Sequence, residues 1–195
     1  MRSERLEWEA RYRGGDRPHD GSPSGILRRW LPRLPRGRAL DVATGLGRNA
    51  LYLARAGYKV DAIDISGTGL QRAAARARRR GLGIRWIEAD LDRYPLPERR
   101  YAVIVNAFFL KRRLIRALKS AVRPGGVILV ESHLAGGPPD DGPRPGSRNR
   151  LKPGELRRWF RDWEVLDLEE GRFKEGGRVW LMGRIVARRP RRRSR

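Results

Sequence analysis

The chain of 195 residues predicts a single-domain α/β fold: a doubly wound, mostly parallel seven-stranded sheet that ends in an antiparallel hairpin. Three observations carry this expectation. Short β-branched runs alternate with amphipathic stretches through the middle of the chain, a glycine-rich turn follows the first run, and the last two apolar runs are joined through glycines. Repeated strand–helix units imply right-handed crossovers and helices on both faces of one sheet.

Each element follows from its pattern. Residues 39–42 are an apolar run entering the glycine-rich turn, and 49–56 then repeat Ala50, Leu53 and Ala54 at helical spacing before Gly57. Residues 59–65 (KVDAIDI) alternate as a strand does. In 69–80, Leu70, Ala73, Ala74 and Ala77 share one face opposite Arg72, Arg76, Arg79 and Arg80, as in an amphipathic helix. Residues 84–88 and 101–105 read as the third and fourth strands. Leu114, Ile115, Leu118 and Val122 mark a helix ended by Pro124, Gly125 and Gly126, and 127–131 (VILVE) form the fifth strand. Residues 134–149 hold four Gly and four Pro, a loop of the length that usually carries function. A short helix is expected at 153–160 with Pro at its start, then two strands at 163–168 and 178–187 joined through 171–177. Residues 1–37 are expected to be an N-terminal extension that lids the site, 38–187 the domain, and 188–195 a basic tail.

Composition narrows the chemistry. The absence of cysteine removes disulfides, thiolate metal sites and Cys nucleophiles, including the covalent route to C5-methylated cytosine, and two histidines give no multi-histidine metal site. No metal is expected. No apolar run approaches the ~20 residues of a membrane span, and the charged start has no secretory pattern, so a cytoplasmic protein without membrane contact is expected. The formal charge is +23, from 40 Arg and 5 Lys against 22 acids, with six arginines in the last eight residues. Such an excess suits phosphate or another anion, so nucleic acid is a second partner class beside a small molecule; a solvated arginine surface is the bland alternative. Composition does not bear on oligomeric state.

The informative segment is 41–50, DVATGLGRNA. Its GLGRNA also fits the G-x-G-x-x-A dinucleotide pattern. Asp41 argues otherwise, being a poor neighbour for a pyrophosphate and a good one for a cationic, ammonium-bearing ligand. Asp64 and Asp90 follow the second and third strands, so three acids face the crevice where open α/β sheets bind ligands.

With these residues in place, the sequence resembles the class I S-adenosylmethionine-dependent methyltransferases. Within them it is most similar to the small bacterial branch of tellurite-resistance and thiopurine-type methyltransferases. The branch features are WEARYR at 8–13, GRNALYLA at 47–54, NAFFLKR at 106–112 and RNRLKPGEL at 148–156. The resemblance implies a Rossmann-like enzyme with S-adenosylmethionine as cofactor. It gives Ala43, Thr44, Gly45, Gly47 and Asn49 to the glycine loop against the methionine part, with Asp41 anchoring it. Asp64 and Ile65 would hold the ribose, Asp90 and Leu91 the adenine, and Asn106 would lie beside the transferring methyl. Ala43 stands where the family commonly has glycine; it is expected to keep a negative φ and to place a methyl group against the cofactor.

Methyl transfer from a sulfonium needs little beyond alignment and exclusion of water. His133, after the fifth strand, is the first candidate for a base or acceptor contact. His19 would join if the N-terminal segment folds over. Trp8, Tyr12, Phe108 and Phe109 are candidates to line an apolar pocket, and Arg112, with Arg48, Arg148 and Arg150, to meet an anionic acceptor. The reading favoured is transfer to a small thiol, oxyanion, heteroaromatic or carboxylic compound. An RNA or other nucleic-acid methyltransferase is the alternative, weakened because NAFF at 106–109 lacks the two prolines of the exocyclic-amine motif.

Overall fold

A computed structural model describes residues 2–15, 21–136, 149–175 and 177–191. His19, Arg148 and most of the Gly/Pro-rich loop lie outside the described residues. The elements in chain order are α1 (Arg2–Arg13), α2 (Gly25–Trp30), β1 (Arg38–Val42), α3 (Arg48–Arg55), β2 (Lys59–Asp64), α4 (Gly67–Arg78) and β3 (Ile84–Glu88). They continue with β4 (Tyr101–Ala107), α5 (Leu114–Ala121), β5 (Val122–His133), α6 (Glu155–Trp159), β6 (Glu164–Glu175) and β7 (Arg178–Arg188).

The seven strands form one sheet in the order β3-β2-β1-β4-β5-β7-β6. The first five are mutually parallel, and β7 runs antiparallel to both β5 and β6. The sheet and its closing hairpin are those the sequence predicts. The hairpin is tighter than expected: pairing runs out to Glu175 opposite Arg178, so only 176–177 connect the strands. The fifth strand also starts earlier. Val122 already pairs with Tyr101, and a register shift near Val103 absorbs the Pro-Gly-Gly segment instead of ending the pairing.

Strand alternation builds a core on each face. Leu40, Val42, Ile104, Ile128 and Ile185 pack under α5 and α6 with Leu118 and Phe160, while Ala39, Val103, Val105, Leu129 and Val186 pack with Ile26, Leu27, Ala50 and Leu53 of α2 and α3. Part of the expected N-terminal extension is therefore domain, since Ile26 and Leu27 are wholly buried. Arg188 and Arg189, expected in the tail, continue the sheet: Arg188 pairs with Val127, and the Arg189 amide donates to the Gly126 carbonyl (2.8 Å). No helix among the described residues is long and apolar enough to cross a membrane, and none of the described His, Asp and Glu residues cluster in threes that could hold a metal ion.

Gly47 sets how closely α3 approaches α4. It has φ +78°, and a Cβ there would stand 2.9 Å from the Ala73 Cβ and 3.0 Å from the Trp86 ring. Gly47→Ala is expected to lower unfolding free energy by about 2–4 kcal/mol, from left-handed backbone strain plus overpacking, measured by urea denaturation.

Candidate active site

β1 is hydrogen-bonded to β2 on one side and to β4 on the other, so the chain order reverses beside its carboxyl end. Open α/β sheets bind ligands at such a point. The turn leaving β1 passes through three residues of positive φ: Ala43 (49°), Gly45 (53°) and Gly47 (78°). Ala43 thus departs from the negative φ expected of it. The turn forces this, because the next amide, Thr44 N, must reach the Ile63 carbonyl (3.0 Å) while the Thr44 hydroxyl donates to Asp41. The conformation costs a non-glycine residue about 1–2 kcal/mol and concentrates strain at the loop.

Two buried carboxylates hold the loop in place. Asp41 is 1% exposed; its Oδ2 accepts from the Thr44 hydroxyl and from the Ala50 amide (3.0 Å) at the start of α3. Burial pushes its pKa up to about 6, against the lowering effect of Thr44, the nearby Arg48 charge and the Ala50 amide. Asp64 closes β2, with Oδ2 accepting the Gly45 amide (2.7 Å) and Oδ1 the Ser66 amide (2.9 Å). Burial raises its pKa as well, those amides opposing. Asn49 is also engaged, its Oδ1 accepting the Ser24 amide (2.9 Å) and joining α3 to α2.

Beyond β3, the Ala89 amide donates to the Asp64 carbonyl (2.9 Å), which draws 89–91 toward the end of β2. Asp90 is half-buried with Oδ1 on the Asp92 amide (2.9 Å), Leu91 is buried and Ile65 half-buried. Asp41, Asp64 and Asp90 therefore end three adjacent strands, as the sequence suggests.

The N-terminal helix α1 roofs this corner. Tyr12 is buried over the loop: a Cβ on Gly45 would stand 2.5 Å from its hydroxyl, and one on Gly69 3.0 Å from its ring. Trp8 stacks on Tyr12 with ring centroids 5.5 Å apart. Polar ties spread along the helix. Glu4 accepts from Lys111 (2.9 Å), Arg5 pairs with Glu88, and Glu9 accepts from the Thr68 hydroxyl and amide (3.3 Å for the amide).

A second cluster forms at the ends of β4, β5 and β7. Asn106, 1% exposed, lies between Val42 of β1 and Val130 of β5, and its Oδ1 accepts no hydrogen bond among the described residues. Phe108 takes φ +59°, its amide donating to the Glu131 carbonyl (2.8 Å). Its ring lies 5.1 Å from His133, which is 5.1 Å from Trp180, and the Arg48 guanidinium lies 5.4 Å over Phe108. Beside them, Glu131 and Arg184 form a buried pair (3.2 Å), with Arg184 4.0 Å over Phe173.

The expected aromatic and cationic contacts are redistributed. Phe109 packs on the α5-side core with Lys111 over its ring (5.4 Å), so Phe108 and not Phe109 meets His133. Arg112 is engaged by Glu155 through two bonds (2.6 and 3.0 Å) and donates to the Arg150 carbonyl, which anchors α6. Trp180 and the Glu131–Arg184 pair were not visible in the sequence. Only the β5–β7 register brings them opposite β5, and no local pattern encodes it.

Residues 39–126 match the methyltransferase domain family, and the fold is that of the class I S-adenosylmethionine-dependent methyltransferases. In sequence the chain is similar to a probable S-adenosyl-L-methionine-dependent methyltransferase, TehB of Haemophilus influenzae. It is 28% identical to it over 141 residues, covering 68% of this chain and 48% of TehB. A crystal structure of TehB superimposes with TM-score 0.73 at 23% identity, covering 85% of this chain and 62% of that one. The chain is also 32% identical over 142 residues to hemagglutinin 1 of Eikenella corrodens, covering 68% of this chain and 46% of that protein. A structure titled for the conversion of a disulfide bond into a thioacetal group during echinomycin biosynthesis superimposes with TM-score 0.74 at 24% identity, covering 98% and 94%. The chain spans less than half the length of TehB and of hemagglutinin 1.

Asp41 sets a pH dependence. Above about pH 6 its carboxylate is ionised and favours a cationic ligand; as pH falls through 6 it protonates and that attraction is lost. Affinity for S-adenosylmethionine, measured by calorimetry, is expected to weaken several-fold from pH 7.5 to pH 5, and Asp41→Asn to be weak and nearly flat across that range.

Proposed function

We propose that this chain is a methyltransferase that binds S-adenosylmethionine at the β1–β4 corner and methylates a small-molecule acceptor, a thiol, oxyanion or small heteroaromatic or carboxylic compound, by in-line displacement. The observation that carries it is the convergence of Asp41, Asp64 and a strained glycine turn under Tyr12, at the point where the sheet order reverses.

The donor set fits that cofactor. Asp64 and Asp90 offer carboxylate lone pairs to ribose hydroxyls and an exocyclic amine, Asp41 offers negative charge to an ammonium group, and the buried Asn106 Oδ1 is an acceptor with no donor among the described residues. Thr44, Gly45, Gly47 and Asn49 shape the loop, and Ile65 and Leu91 supply apolar contact for the ribose and adenine. When bound, the cofactor supplies an electrophilic methyl whose bond to sulfur breaks as the bond to the acceptor forms, the electron pair remaining on sulfur.

The chain's own part is alignment and exclusion of water. α1 covers the corner as a lid, with Trp8 and Tyr12 on its inner side. Phe108, His133 and Trp180 form the wall on which an acceptor rests, and His133 takes the acceptor's proton where there is one. Neither a buried carboxylate nor an aromatic wall distinguishes a thiol from an oxyanion, so the acceptor is assigned by class.

Calorimetric titration with S-adenosylmethionine and separately with NAD is expected to show binding of the former alone; the reverse would overturn the reading. Asp64→Ala is expected to cost at least tenfold in cofactor affinity, and a change within twofold would remove Asp64 from the ribose site. Deleting residues 1–13 is expected to lower methyl transfer to a thiol acceptor at least tenfold while shifting Tm by only a few degrees.

A further inference from the structure

A groove of about 660 Å³ runs along the face of the sheet covered by α5 and α6, lined chiefly by Arg112, Arg116, Lys119, Trp159, Trp163 and Arg189. It shares none of these residues with the proposed active site, and the Arg112 guanidinium is held by Glu155. Among the described residues, Asp162 is the one acidic side chain in its lining.

The cations there are presented in different ways. Arg189 donates to the carbonyls of Lys119, Ser120 and Val122 (3.2, 3.0 and 2.6 Å), so it caps the carboxyl end of α5 with no carboxylate to neutralise it among the described residues. Arg116 is exposed and has no ion pair among the described residues. Lys119 shares Asp162 (2.5 Å) and the Trp159 carbonyl (2.7 Å), and its ammonium lies 5.5 Å from both the Phe160 and Trp163 rings. Trp159 is half-buried, its indole packed on the core from the groove side.

These positions are spaced along α5. Arg112 precedes its first turn and Arg189 sits at its last, so positive charge extends over about 12 Å, the length of eight helical residues. In sequence the chain leaves the groove at Pro190 into Arg191, Arg192, Arg193 and Arg195. An extended row of cations beside a flat aromatic suits a ligand that is itself a row of anions carrying planar groups. A compact anion would use one end of it, and the carboxylates of an acidic peptide leave the indole unused.

We propose that this groove docks single-stranded nucleic acid, with phosphates on Arg116, Lys119 and Arg189 and a base stacked on Trp159. The inference stands apart from the identity of the methyl acceptor and does not rest on it.

The test is fluorescence anisotropy of a labelled 12-nucleotide oligouridylate with the full chain freed of nucleic acid, between 50 and 200 mM KCl. With about three phosphates engaged, log affinity is expected to fall against log salt with a slope near −2. Arg116→Glu is expected to weaken binding at least fivefold and to reduce the slope by about 0.7, with Tm within about 2 °C of the parent. Trp159→Phe is expected to retain binding and Trp159→Leu to lose at least threefold, a split that a merely folded-state effect would not give. The proposal is overturned by no binding by the parent chain, by parental affinity in Arg116→Glu, or by oligoglutamate of equal charge competing as well as the oligonucleotide. Loss of binding on removing residues 192–195 with the groove variants unaffected would place the contact on the tail instead, and would also overturn it.

Discussion

The site depends on the buried carboxylate of Asp41. A strand-end acid at 1% exposure carries a large desolvation penalty, visible in a pKa near 6, and it persists because the Thr44 hydroxyl and Ala50 amide bond it. Those bonds decide the path of the chain between β1 and α3. Asp64 repeats the arrangement from the next strand, taking the Gly45 amide. The glycine turn is thus clamped from two strands, and its glycines serve the clamp: Gly45 and Gly47 take positive φ, and each also makes room for a neighbour that a side chain would displace. Ala43, with no such freedom, is held in the left-handed region by the same clamp.

The roof over the turn is made differently. A twelve-residue helix is marginal alone in water, so the order of α1 comes from what it touches. Among its described side chains Tyr12 alone is buried deeply; the polar ties are ion pairs and hydrogen bonds near the surface, individually worth about 1 kcal/mol or less. A roof anchored by one aromatic and several weak polar contacts opens at small cost while the clamped floor beneath keeps its shape. Rigidity lies where a cofactor would be read, and compliance where ligands would enter and leave.

Much of the fold was legible because its signals are local. β-branched runs, the helical spacing of Leu70, Ala73 and Ala77, and the glycine turn each announce an element without reference to the rest of the chain. What departs from the local signals is set by non-local contacts. In sequence Arg112 suits an anionic acceptor, yet Glu155, forty-three residues on, takes its guanidinium. Arg188 and Arg189 look like the start of a loose basic run, but pairing with β5 makes them part of the sheet. Phe108 and Phe109 are chemically the same in sequence. A positive φ at Phe108, tied by its amide to Glu131, decides which ring reaches His133. Asn49 sits in a loop motif and is engaged by Ser24 of a segment with no periodic signal of its own.

The position of β6 at the end of the sheet has a consequence for the protein in crowded solution. A twelve-residue strand with one unpaired side invites another strand to add to it. This one carries Glu164, Asp167, Glu169, Glu170, Arg172 and Lys174, and Arg29 of α2 crosses from the neighbouring layer to bind both Asp167 and Glu169. Adding a strand there would set an incoming chain against a dense row of charge beside a guanidinium already committed. The opposite edge, β3, is only five residues long. The sheet can thus end in a long hairpin and still resist the edge-to-edge stacking that leads to fibrils.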